Sequence, residues 1–74
     1  MNDPEATCAI RCDVELDIKG PTTKVINGWL ADALRKLADQ IERDEFEDGH
    51  HDVKDRHGRR FGGVYFDFYE IHEL

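Results

Sequence analysis

The stretch GGVYFDFYEIHEL, Gly62 to Leu74, decides how this chain folds. Its residues alternate as in a strand, but both faces are apolar. Val64, Phe66 and Phe68 lie on one side, with Tyr65, Tyr69 and Ile71 on the other. In a protein of 74 residues one side can meet a core, so the other must meet something else.

Working outward, the partner of this strand is TCAIRCDVELDIK, Thr7 to Lys19. Cys8, Ile10, Cys12, Val14, Leu16 and Ile18 share one face, while Ala9, Arg11, Asp13, Glu15 and Asp17 share the other. Read as a helix, the same apolar residues would scatter around the cylinder. Period two makes it a strand with one buried and one wet, acidic side. Gly20 and Pro21 break it, and Thr22 or Thr23 can cap a helix by accepting from a free backbone N–H.

The helix is predicted over residues 23–46. Ile26, Leu30, Ala33, Leu34, Leu37 and Ile41 recur at three- and four-residue steps and form one stripe. Asp32–Lys36 and Asp39–Arg43 are spaced as i,i+4 ion pairs on the opposite side. Gly28 weakens the first turns but gives the Trp29 indole room to pack closely. Gly49 is the expected stop. Residues 50–55 then read as a short polar strand, His57-Gly58 as the tip of a hairpin, and residues 60–72 as the return strand. Gly62-Gly63 marks a bulge or bend.

The expected architecture is α+β. A single β-α-β-β domain spans residues 1–74, with a disordered N-terminus at 1–6 and strands at 7–19, 50–55 and 60–72. Its mainly antiparallel three-stranded sheet has order 1-3-2, and one helix is carried over one face by a right-handed crossover. Val64, Phe66 and Phe68 are expected to meet the helix beside Ile10, Val14 and Leu16. Tyr65, Asp67, Tyr69 and Ile71 then lie on the open face beside Arg11, Asp13, Glu15 and Asp17.

Charge narrows the functional classes. The chain carries 17 acidic and 10 basic residues, a net charge of −7, which opposes direct binding to nucleic acid or an anionic membrane. No stretch is long and apolar enough to span a bilayer. The N-terminus lacks the basic and apolar regions of a signal peptide, so a cytoplasmic location is expected. Cys8 and Cys12 stand about 13 Å apart on one strand face, too far to share a metal or a disulfide, and are expected as core thiols.

Catalytic constellations are sparse. The chain has no serine, and RRFGGVY lacks the spacing and following helix of a phosphate-binding loop. Of the histidine-rich segment, His50 and Asp52 would converge on one strand face, with His57 able to join them only if the turn folded back. A solvated polar loop is the expectation, with no metal and no cofactor. Lys54, Arg56, Arg59 and Arg60 form a basic patch expected to pair with the acidic helix end or with a neighbouring subunit.

The layout of a strand, GPT leading into LADALRKLADQIE, and a hairpin with DRHGRRFGG resembles small open reading frames of bacteriophages and prophages. It is similar in kind to anti-CRISPR proteins and related phage inhibitors. The resemblance implies an acidic, non-enzymatic inhibitor of a bacterial host complex that occupies a basic, nucleic-acid-binding surface as a DNA mimic. Independently, the residue pattern nominates Asp13, Glu15, Asp17, Tyr65, Asp67 and Tyr69 on the sheet as partner-binding residues. Glu42, Glu45, Glu47 and Asp48 at the helix end complete that set. The alternative is a structural homodimer or small subunit associating through its open sheet face or edge strand, and a third reading is a metal-binding histidine loop built on His50, Asp52 and His57.

Overall fold

The computed structural model describes residues 6–72. It contains β1 (Ala6–Leu16), α1 (Thr23–Glu42), β2 (Gly49–Lys54) and β3 (Arg60–His72). The expected disordered N-terminus lies outside the described residues, except for Ala6, which opens β1. The sheet order is β1-β3-β2, with both outer strands antiparallel to β3. The α+β class and the central place of the last strand are as expected from the crossover topology.

Register assigns the faces. Ile10 opposes Phe68, Cys12 opposes Phe66 and Val14 opposes Val64, so these share one side of the sheet. His51 and Val53 join that side from β2, opposite Val64 and Gly62. Leu37 of α1 packs on it, and the buried core is Leu37, Val64 and Phe66, at 5%, 1% and 1% exposure. Leu16, Phe46 and Val53 pack around them.

The core is smaller than the sequence suggests. Ile10, Val14 and Phe68, expected under the helix, are exposed, and so are Cys8 and Cys12, expected as core thiols. The reason is the width of the cover. An α-helix is about 10–12 Å across, enough for roughly two strands at about 4.8 Å spacing. The Ala33, Lys36, Leu37 flank of α1 shares a small cavity with Asp52, Val53 and Phe61, so the helix lies toward β2 and leaves β1 bare from Ile10 to Val14, with Leu16 half-buried. The molecule measures 54 × 22 × 17 Å with a radius of gyration of 16.1 Å, against about 11 Å for a compact chain of this length.

The helix begins where the sequence placed it. Thr22 is the N-cap, its Oγ1 accepting from the Val25 N–H at 3.2 Å. It ends four residues early, at Glu42 rather than 46. Asp44 adopts φ 56°, and its N–H donates to Ile41 O while that of Glu45 donates to Gln40 O. That pair of bonds is a Schellman closure with aspartate in the left-handed position usually held by glycine. Phe46 is thereby released from the helix to stack on Phe66, ring centroids 4.9 Å apart.

Several local expectations change with this geometry. On α1 and its exit, the ion pairs are Asp32–Arg35 and Arg43–Glu45, not the i,i+4 pairs the spacing offered. The Trp29 indole packs on Gly20 rather than at Gly28. A Cβ at Gly20 would stand 2.7 Å from both Trp29 and Ile26, whereas Gly28 has open space around it. The bulge falls at Phe61, the extra residue between the Val53–Gly62 and Lys54–Arg60 pairs.

At the hairpin tip, Gly58 takes φ 80° and Asp55 organises the turn. Its carboxylate accepts from the Arg59 N–H at 3.0 Å and the His57 N–H at 2.8 Å. These bonds, that from Arg59 foremost, hold the Asp55 carboxyl below its ordinary range. A depressed folded value means that Asp55 supports the turn above its unfolded pKa and loses that support as pH falls through the lower, folded value. An acid NMR titration should therefore shift the His57 and Arg59 amides together with the Asp55 carboxyl. In Asp55→Ala that shared step should vanish.

Candidate functional site

The open side of the sheet carries the alternate residues. Asp13 opposes Tyr65, Arg11 opposes Asp67, Ala9 opposes Tyr69 and Thr7 opposes Ile71. His50 flanks Tyr65 from β2, and Asp52 flanks Gly63. Because α1 packs on the other side, none of these lies beneath it. Tyr65, Tyr69 and Ile71 are 44–45% exposed.

Gly63 shapes the centre of this surface. Glu15 and Asp52 stand on either side of it, and its missing side chain leaves space that the His50 imidazole and the Arg60 guanidinium approach. The result is an open depression of about 510 Å³ lined by Asp13, Glu15, Asp17 and Lys19 on one flank. His50, Arg60 and Tyr65 lie on the other. Arg60 Nε binds Asp52 Oδ1 at 2.9 Å, and His50 Nδ1 lies 3.8 Å from the same oxygen. This pairing uses part of the basic patch that the sequence assigned to the helix end. A carboxylate wall faces a phenol, an imidazole and a partly neutralised guanidinium, an arrangement suited to polar contacts with a broad, positively charged surface.

The structure divides the ten nominated residues into two groups. Asp13, Glu15, Tyr65, Asp67 and Tyr69 share the open face, and Asp17 continues that row just past β1, its N–H donating to Phe61 O at 2.8 Å. Glu42, Glu45, Glu47 and Asp48 lie elsewhere, at the end of α1 and in the connection into β2. Two of these have internal partners. Glu45 binds Arg43 at 2.6 Å, and Asp48 Oδ1 accepts the Phe68 N–H at 2.8 Å just beyond the end of β2. Asp48 therefore caps a backbone group that β2 is too short to reach.

The histidines separate as strand alternation requires. His50 and Asp52 share the open face, while His51 turns to the helix side, its ring 5.1 Å from that of Phe46 and its Nε2 2.7 Å from Glu47 O. His57 stays at the hairpin tip. Among the described residues, no three His, Cys, Asp or Glu side chains are grouped to hold a metal ion, and no helix is long and apolar enough to cross a membrane.

Sequence reasoning missed Lys19, His50 and Arg60 as lining residues of the depression. The available signal was Gly63, since a glycine inside an alternating strand removes one side chain from the face its neighbours define. Comparison with known proteins finds no matching family model, no matching curated protein and no matching solved structure.

Proposed function

We propose that this chain is a non-enzymatic binding protein whose open sheet face occupies a basic surface of a larger bacterial complex, one that otherwise binds nucleic acid. The observation that carries this reading is the exposed row of Asp13, Glu15 and Asp17 beside Tyr65 and Tyr69, on the side of the sheet that the chain's own helix leaves bare. Alternate residues on a strand stand roughly 7 Å apart, so the row presents regularly spaced negative charge, as a nucleic-acid backbone does. Carboxylates at that spacing speed encounter with a basic surface, and the tyrosines supply rigid short-range contact area. This is the mode of the anti-CRISPR-type inhibitors that the layout resembles.

The test starts with capture from a bacterial lysate and measures affinity for the purified partner. Binding should weaken on the order of tenfold or more as ionic strength rises from about 0.05 to 0.5 M, and the partner should lose its nucleic acid. The Tyr65→Ala/Tyr69→Ala double variant should bind at least tenfold more weakly with its circular dichroism unchanged. An affinity indifferent to salt would exclude charge mimicry.

A further inference from the structure

The side of the sheet facing α1 is only half covered, and its bare half has a definite shape. Leu34 and Ile41 stand about 60° and 40° around the helix from Leu37. They lie on the flank opposite Ala33, Lys36 and Gln40, which line the cavity beside β2. That places Leu34 and Ile41, both exposed, on the β1 side of the helix. Beside this ridge runs a strip of the sheet with Ile10 at 51%, Phe68 at 46% and Val14 at 44% exposure. An apolar ridge and an apolar strip therefore lie side by side on one surface. A twofold rotation sets each ridge against the strip of the other copy, the self-complementarity that an isologous interface requires.

Area points the same way. The chain exposes 6390 Å², where a compact protein of 8.6 kDa exposes about 4,700 Å². The seven residues outside the described range can be discounted at the full area of an extended chain, about 1,200 Å². The described residues alone, about 7.8 kDa, would expose about 4,400 Å² if compact, and they still exceed that by about 800 Å². A stable interface takes about 800 Å² from each partner.

Two further observations favour a second copy. Beyond the end of β2, opposite Phe66, the sheet narrows to the two-stranded arm of Ala6–Arg11 and Asp67–His72, and a lone strand pair is marginal in water. The helix-side surface is also where two chains of net charge −7 can meet. In the six opposed pairs from Ala6–His72 to Leu16–Gly62, the one carboxylate on this side is Glu70, 3.6 Å from His72. The carboxylates of Asp13, Glu15 and Asp67 lie on the other side.

We propose that two copies of this chain close over each other through their helix-side surfaces, the Leu34–Ile41 flank of α1 in each lying against the Ile10, Val14 and Phe68 strip of the other. Both acidic open faces then point outward and stay available.

Sedimentation velocity on the purified chain should give twice the 8.6 kDa monomer mass. Leu34→Glu and Phe68→Glu should each weaken self-association at least tenfold while keeping the helical circular dichroism, and Tyr65→Glu, on the opposite side, should leave it unchanged. A wild-type readout covers the case in which a variant fails to fold. In a Cys8→Ser background, Cys12 lies on the proposed interface, and its reaction with an aromatic disulfide reagent should slow at least tenfold in concentrated protein relative to nanomolar dilution. A monomer at all concentrations overturns the proposal. So does a dimer that survives both glutamate variants, one broken by Tyr65→Glu alone, or a Cys12 whose reactivity ignores concentration.

Discussion

Phe66→Ala is expected to leave the chain largely unfolded at room temperature. Phe66 is the ring that others pack on: Phe46 at 4.9 Å, Phe68 at 5.8 Å and His51 at 6.1 Å between centroids. Among the described residues it is one of three buried side chains. Removing a buried phenylalanine costs about 3–5 kcal/mol, while a chain of this size has a total stability near the lower end of the usual ~5–15 kcal/mol. No second cluster exists among the described residues to share the loss. Urea titration followed by circular dichroism checks this, with Phe68→Ala as the comparison. Phe68 is half exposed in a single chain, so at dilutions where copies separate its removal should cost about 1 kcal/mol or less. Equal effects from the two variants would mean that the core is not where the burial places it.

The second large effect is expected at Gly62. This residue lies opposite Leu16 on β1 and Val53 on β2 and is buried although it has no side chain. A Cβ there would collide with the Glu15 carbonyl oxygen and stand 2.7 Å from Leu16 Cδ2 and 3.0 Å from Leu16 Cα. Backbone cannot rotate aside as a side chain can, so the strands would have to part where β3 joins both neighbours. Gly62→Val should cost about 3 kcal/mol or more, at or beyond the upper end for overpacking a core. Gly63→Ala is the informative control. Its nearest obstacles are the His50 imidazole and the Arg60 guanidinium, side-chain ends that can swing away, so it should cost about 1 kcal/mol or less. The two thermal melts should differ widely, and similar melting temperatures would contradict the close approach of β1 to Gly62.

Much of the fold was legible because alternation and helical periodicity are local. The faultless period of Cys8 to Ile18 placed a strand, and the crossover helix with the last strand antiparallel to the first made that last strand the centre of the sheet. The same alternation put Tyr65 and Tyr69 with the β1 acids, away from the helix. What local pattern cannot carry is the extent of cover. It tells which side Ile10, Val14 and Phe68 share, not that a single helix about 10–12 Å across would lie toward β2 and cover only about two of three strands spaced about 4.8 Å apart. The early stop at Glu42 was hidden for a related reason, because an aspartate had to accept the left-handed position. At the candidate site, the acids were visible as a row. The depression beneath them was not, since it depends on which residues of β2 come opposite Gly63.

Ala6 pairs with His72, so the two ends of the described segment stand on adjacent strands about 5 Å apart. A bridge of a few residues would join them into a ring without moving either strand. The hairpin tip at His57 and Gly58, exposed and outside the sheet, offers a place to open that ring again. Opened there, the ring reads β3-β1-α1-β2, and the same sheet and helix admit that permuted β-β-α-β order.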